Sequence, residues 1–205
     1  MRTIITICIA ILCMAPQTFA AGSSSKKESS SGDRLAEADR LFNKGIKHQD
    51  KAWAYEKQAA AAEKPDDRKV YEKSAEREFK RAADAFKDAT KKNSRHYEAF
   101  GSLGYAQRKI GKYKDSLKSY NRALKMKPDY AEALEYRAEA YLGLGRVADA
   151  KEDYAALVKL DKDHARTFLM AAAAWGAIPG EGQADFSAWV ETELAKLGPG
   201  SSKTW

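Results

Sequence analysis

Cysteine is nearly missing from this chain of 205 residues: Cys8 and Cys13 are the only two, and both lie in the opening stretch MRTIITICIAILCMAPQTFA. That stretch has one positive charge, Arg2, an apolar run from Ile4 to Ala15, and small residues at Thr18 and Ala20. The layout is that of a secretory signal peptide over residues 1–20, cleaved after Ala20, with a retained anchor as the alternative. The run is shorter than the ~20 residues needed to cross a bilayer. Ile7 and Leu12 precede the cysteines, where a lipidated cysteine needs a small residue, so lipidation is disfavoured. Cleavage leaves no cysteine, hence no disulfide, thiolate nucleophile or cysteine metal ligand. No Asn-x-Ser/Thr acceptor occurs either. This favours a bacterial periplasm over a eukaryotic secretory route, with secretion from the cell as the alternative.

Breakers are scarce too. Five prolines and 13 glycines, against many Ala, Lys and Glu, predict an all-helical chain. The net charge of +7 falls to +6 without Arg2. Its charges are interspersed along helical patterns, which makes a solvated surface rather than a nucleic-acid footprint, and no aromatic–basic reader motif appears. No nucleic-acid partner is expected.

Catalytic signatures are equally absent. There is no Gly-rich phosphate loop, nucleophile elbow or Cys/His pairing. The three histidines are His48, His96 and His164. The last two read as solvated corner residues, a shared metal site being the alternative. The chain is expected to be no enzyme and to hold no cofactor or metal.

What is present is a period. After a flexible Ser/Gly/Lys linker over 21–32, Asp33 is expected to cap a long helix carrying Leu35, Ala38, Phe42, Ile46, Trp53 and Ala60 on its apolar face. Pro65 with Asp66 and Asp67 opens a second, with Val70, Ala75, Phe79, Ala82, Phe86 and Ala89 inward. Residues 33–94 thus form a long antiparallel hairpin. Then GKYKDSLKSYNRALKMKPDY from Gly111 is echoed by GRVADAKEDYAALVKLDKDH from Gly145, 34 residues on. The same step links Tyr120 to Tyr154, Ala106 to Ala140 and Ala99 to Ala133. Such a period marks stacked helix pairs, with the two glycines turning left-handed between helices. Units run over 97–130 and 131–164. A partial unit with a capping helix (Phe186, Trp189, Val190, Leu194 and Leu197 on one side) follows over 165–197, and a tail over 198–205. The fold class is all-α: antiparallel helix hairpins in a short right-handed solenoid.

Phe100, Leu103, Gly104, Tyr113, Tyr120, Ala123 and Pro128, then Leu134, Ala138, Tyr141, Ala150 and Tyr154, resemble the tetratricopeptide repeat motif. Ser116 and Leu157 stand for alanines, Gln107 for an aromatic and Lys162 for proline. The resemblance implies a concave groove lined by the first helix of each repeat. It carries over to Glu98, Gly101, Tyr105, Arg108 and Lys109, then Glu132, Glu135, Glu139 and Leu142, then Arg166 and Leu169. The subclass that clamps a terminal carboxylate is disfavoured, since Ser102, Tyr105 and Glu139 stand where asparagines would serve. The expected partner is a protein or peptide of both charge signs with an apolar anchor on Tyr105. The function expected is a non-catalytic adaptor in the cell envelope. The alternative is a structural envelope protein self-associating through the hairpin, motivated by Trp53, Phe79 and Phe86.

Overall fold

Ser30 opens the first helix. Its Oγ accepts from the Asp33 amide at 3.1 Å and the Asp33 carboxylate accepts from the Ser30 amide at 3.1 Å, a reciprocal cap. Asp33 therefore sits one turn inside the helix rather than at its cap. The computed structural model describes residues 30–178, 180 and 182–198; the expected signal segment and nearly all of the linker and tail lie outside them. Eight helices are described: α1 (Ser31–Ala61), α2 (Pro65–Lys92), α3 (Tyr97–Lys109), α4 (Tyr113–Met126), α5 (Ala131–Leu142), α6 (Val147–Leu160), α7 (Lys162–Gly176) and α8 (Gln183–Leu197). Among the described residues no helix is long and apolar enough to cross a membrane.

The long hairpin α1–α2 is built large into small. Its α1 side is a stripe of Ala38, Gly45, Gln49, Ala52 and Ala59, and α2 answers with buried Phe79 and Phe86. A Cβ on Gly45 would stand 2.5 Å from the Phe86 ring, so glycine is what lets the ring seat. The apolar face expected of α1 is rotated as a result: Leu35, Trp53 and Ala60 are exposed, as is Val70 on α2. Small residues face the partner helix because only they permit close approach. Phe79 and Phe86 fill the hairpin's own interior, which removes them as a surface for self-association.

From α3 onward the pairs stack. Gly111 and Gly145 take φ of 74° and 70°. The amides after them reach back to the preceding helix, Lys112 to the Gln107 carbonyl at 2.8 Å and Arg146 to the Tyr141 carbonyl at 2.9 Å, closing each helix end. Tyr120 from α4 is fully buried against Gly104 of α3; one repeat on, Tyr154 stands in the same relation to Ala138 in the period. The one departure from the 34-residue step is α7, which starts at Lys162 instead of Ala165. Asp161 stands where the previous unit has Lys127, and its carboxylate caps the Asp163 and His164 amides at 2.9 and 3.1 Å.

The stack closes on α8. Phe186 and Val190 are buried, and Trp189 meets Tyr154 edge-on at 5.3 Å. Tyr154 donates to Glu193 at 3.0 Å, tying α8 to α6.

Candidate binding groove

The first members of the successive pairs, α1, α3, α5 and α7, present their outward side chains along one course, where the expected groove residues fall. Most of the charges there are already committed to one another. Arg108 donates to Glu139 at 2.5 Å, joining α3 to α5, and lies 5.3 and 5.1 Å from the Tyr105 and Tyr136 ring centroids. Burial pushes the Glu139 carboxyl above its usual range even though Arg108 pulls it down. Lys109 pairs with Glu56 of α1 at 2.6 Å and leans over Phe79. Arg166 donates to the carbonyls of Leu197 and Gly198, holding the end of α8. Glu98 contacts His96 at 3.1 Å. Leu142 and Leu169 are core residues and offer no side chain to a groove. Gly101 is buried beneath the Tyr130 ring, which a Cβ would meet at 2.7 Å.

Glu135, 3% exposed, is not a free carboxylate: its Oε2 lies 2.5 Å from His164 Nδ1. Residues 96, 130 and 164 occupy one corner position of the period, as do 101 and 135 one turn along the neighbouring first helix. Tyr130 covers Gly101 at one junction and His164 meets Glu135 at the next. Neither His96 nor His164 is a solvated corner residue, since His164 meets Glu135 and His96 stacks on Phe42 with ring centroids 4.7 Å apart; His48, on α1, pairs with Glu78 at 2.7 Å. Among the described residues no three His, Cys, Asp or Glu side chains gather as metal ligands.

The Glu135 hydrogen bond raises the His164 pKa above its ordinary value of 6.5, with burial opposing. A raised pKa means folding favours the protonated ring. Its stabilisation is complete below the unfolded value and is lost as pH climbs through the folded one. Urea midpoints of the wild type should therefore fall between about pH 6 and pH 8.5 more than those of Glu135→Gln, in which the ring loses its hydrogen-bonded carboxylate and keeps only the smaller pull of Asp161 and Glu132. Parallel profiles for the two proteins would remove this pair from the ledger.

Tyr105 is spoken for as well. Trp53 Nε1 donates to its hydroxyl at 2.7 Å, and Trp53, Phe79 and Tyr136 ring it at centroid distances of 6.0, 6.0 and 4.9 Å. With Arg108 also over its ring, it is a wall rather than an anchor point. That wall bounds a cavity of about 140 Å³. Gln49 and Trp53 line it from α1, Gly101, Ser102 and Tyr105 from α3, and Glu132, Ala133 and Tyr136 from α5, with Tyr130 at the corner. Trp53 stays 43% exposed at its mouth. Glu132 is exposed and among the described residues makes no ion pair, although its charge helps raise the pKa of Lys127 and His164. Burial, with Glu132 nearby, pushes the Tyr130 hydroxyl up to about 12.

Of the cavity's residues, Gly101, Tyr105 and Glu132 were among those expected from sequence. Gln49, Trp53, Tyr130, Ala133 and Tyr136 were not, and Ser102 was named only as standing where a clamping asparagine would serve. Tyr136 stands one turn after Glu132 on the same face, and Tyr130 shares the corner period, so both left a signal. Gln49 and Trp53 left none, because α1 lies outside the 34-residue register. A larger open cleft of about 660 Å³ lies where the hairpin overhangs α3, between Arg68, Glu72, Glu76 and Lys109.

The family model of the tetratricopeptide repeat matches residues 68–113 and 102–165. Among solved structures, the crystal structure of PcrH in complex with the chaperone binding region of PopD is similar at 18% identity. The match covers 58% of this chain and 77% of that one, with a TM-score of 0.39. No curated protein matches the sequence.

Proposed function

Since residues 68–165 match the tetratricopeptide repeat family model, we propose that the chain is a non-catalytic adaptor that takes a segment of another protein along the faces of α1, α3 and α5. The aromatic-walled cavity under Trp53 carries this reading. A concave site with a few aromatic walls and one or two polar groups is what a side chain of a bound segment requires. Elsewhere along this course the charges neutralise each other in pairs, so the cavity is where a partner gains most. The adaptor works in the cell envelope, in a bacterial periplasm, if residues 1–20 direct export; a mature protein beginning at Ala21 is the expected product.

A photoreactive amino acid placed at Ser102, which lines the cavity, should crosslink to one mapped segment of a partner in cells. The same group at Lys118, exposed on α4, should not. Trp53→Ala should abolish the Ser102 product. Identical products from both positions, or a Ser102 product indifferent to Trp53→Ala, would sink the groove assignment.

A further inference from the structure

We infer that the cavity between α1, α3 and α5 receives a cationic side chain, arginine or lysine, from the bound segment. This rests on the groove reading above and names the chemistry of its partner.

Three independent observations converge. Among the described residues Glu132 is the one charged residue lining the cavity, and it has no ion-pair partner there. Gln49, also lining it, is 8% exposed and keeps Oε1 buried without a hydrogen bond. An orphaned buried acceptor is costly, so Gln49 gains if an arriving donor lets its amide turn toward the cavity. Four of the remaining lining residues are aromatic, Trp53, Tyr105, Tyr130 and Tyr136, with the small Gly101, Ser102 and Ala133 between them. Aromatic faces, a carboxylate and an open acceptor together suit an ammonium or guanidinium group.

The protein already solves this problem once with its own residues. On the other side of Tyr136, the Arg108 guanidinium lies over Tyr105 and Tyr136 and pairs with Glu139. Glu132 and Glu139 are seven residues apart on α5, two turns along one face, with Tyr136 between them. Glu132 therefore stands toward the cavity as Glu139 stands toward Arg108. Competing anchors fare worse. An aliphatic side chain would desolvate Glu132 and leave Gln49 Oε1 unmet. A carboxylate would face Glu132, and among the described residues the lining itself offers it no cation, Lys127 and Arg108 lying behind the tyrosine rings. A quaternary ammonium has no N–H to give Gln49.

The test uses the full chain and a displayed library of random 12-residue peptides. Peptides whose binding is lost in Trp53→Ala should carry arginine or lysine at one fixed position. Replacing that residue by norleucine should weaken binding about tenfold or more. Glu132→Gln should weaken it several-fold and flatten its salt dependence, since it deletes an exposed charge that makes no ion pair among the described residues. Gln49→Met should weaken the cationic peptides without improving the norleucine ones. Groove-dependent peptides anchored by leucine, phenylalanine or glutamate, or affinities untouched by Glu132→Gln, overturn the cationic assignment while the groove stands. Failure to select any Trp53-dependent peptide overturns both.

Discussion

Tyr120→Ala is expected to lower the unfolding free energy by about 3–5 kcal/mol, the range for deleting a buried aromatic side chain. Tyr120 is 0% exposed and heads the fully buried side chains by volume. Below its ring the core is small, with Gly104 against it and Ala123 and Ala138 in the same cluster, while Arg108 stands at its hydroxyl. Alanine and glycine have nothing to swing into the space, so the cavity would persist, and the cost of such a deletion grows with the volume left behind. The reverse change fails for the matching reason. A Cβ at Gly104 would lie 2.6 Å from the Tyr120 ring, so Gly104→Leu overpacks and should cost about 1–3 kcal/mol or more. The two changes address one volume. Combined, they should cost clearly less than the sum of the singles, the coupling expected of contacting residues. Urea unfolding followed by helical circular dichroism measures all three. Additive losses would show that Gly104 and Tyr120 are not one packing unit.

That pair also shows what a linear reading reaches. Gly104 and Ala138, Tyr120 and Tyr154, Gly111 and Gly145 each recur at 34 residues because each repeat buries the same joint. Packing written twice is visible without coordinates, and so were the starts of α3, α4, α5 and α6. The hairpin α1–α2 has no second copy to compare. Periodicity alone placed Leu35 and Trp53 inward, where the close fit of Gly45 under Phe86 turns them out. The groove was harder for a different reason. Which face a residue shares follows from spacing, but whether its charge is free depends on a partner dozens of residues away. Glu139 is matched by Arg108 from 31 residues back and Glu135 by His164 from 29 residues on. Glu132, on the same helix face, has no such match. The sequence marks all three alike, and only the assembled stack separates the one that is available.

Arg137 and Asp153 make the sharpest electrostatic test. Arg137 of α5 clamps the Asp153 carboxylate of α6 with Nε at 2.8 Å and Nη2 at 2.6 Å, and its Nη1 donates to Asn121 of α4 at 2.6 Å. Asp153 is buried, and burial raises its pKa although Arg137 works against that. Arg137→Met should therefore cost about 3 kcal/mol at neutral pH, because it strands a carboxylate in the interior rather than because the pair itself is strong. Asp153→Leu in the same chain should recover most of that loss, the behaviour of buried pairs replaced by apolar side chains. The pH dependence has a definite sign. With Arg137 gone, the folded Asp153 pKa rises further above its unfolded value, so folding favours the protonated form. The penalty of Arg137→Met is then complete above the folded pKa and shrinks as pH falls through it. Carboxylates held low by exposed partners, Asp115 beside Lys118 among them, lose their own contribution in acid in both proteins, so the quantity to follow is the difference between variant and wild type. A constant difference from neutral to acid pH, or a double variant no more stable than Arg137→Met, would mean that Asp153 never needed its arginine, and that three helices are held at this junction by packing alone.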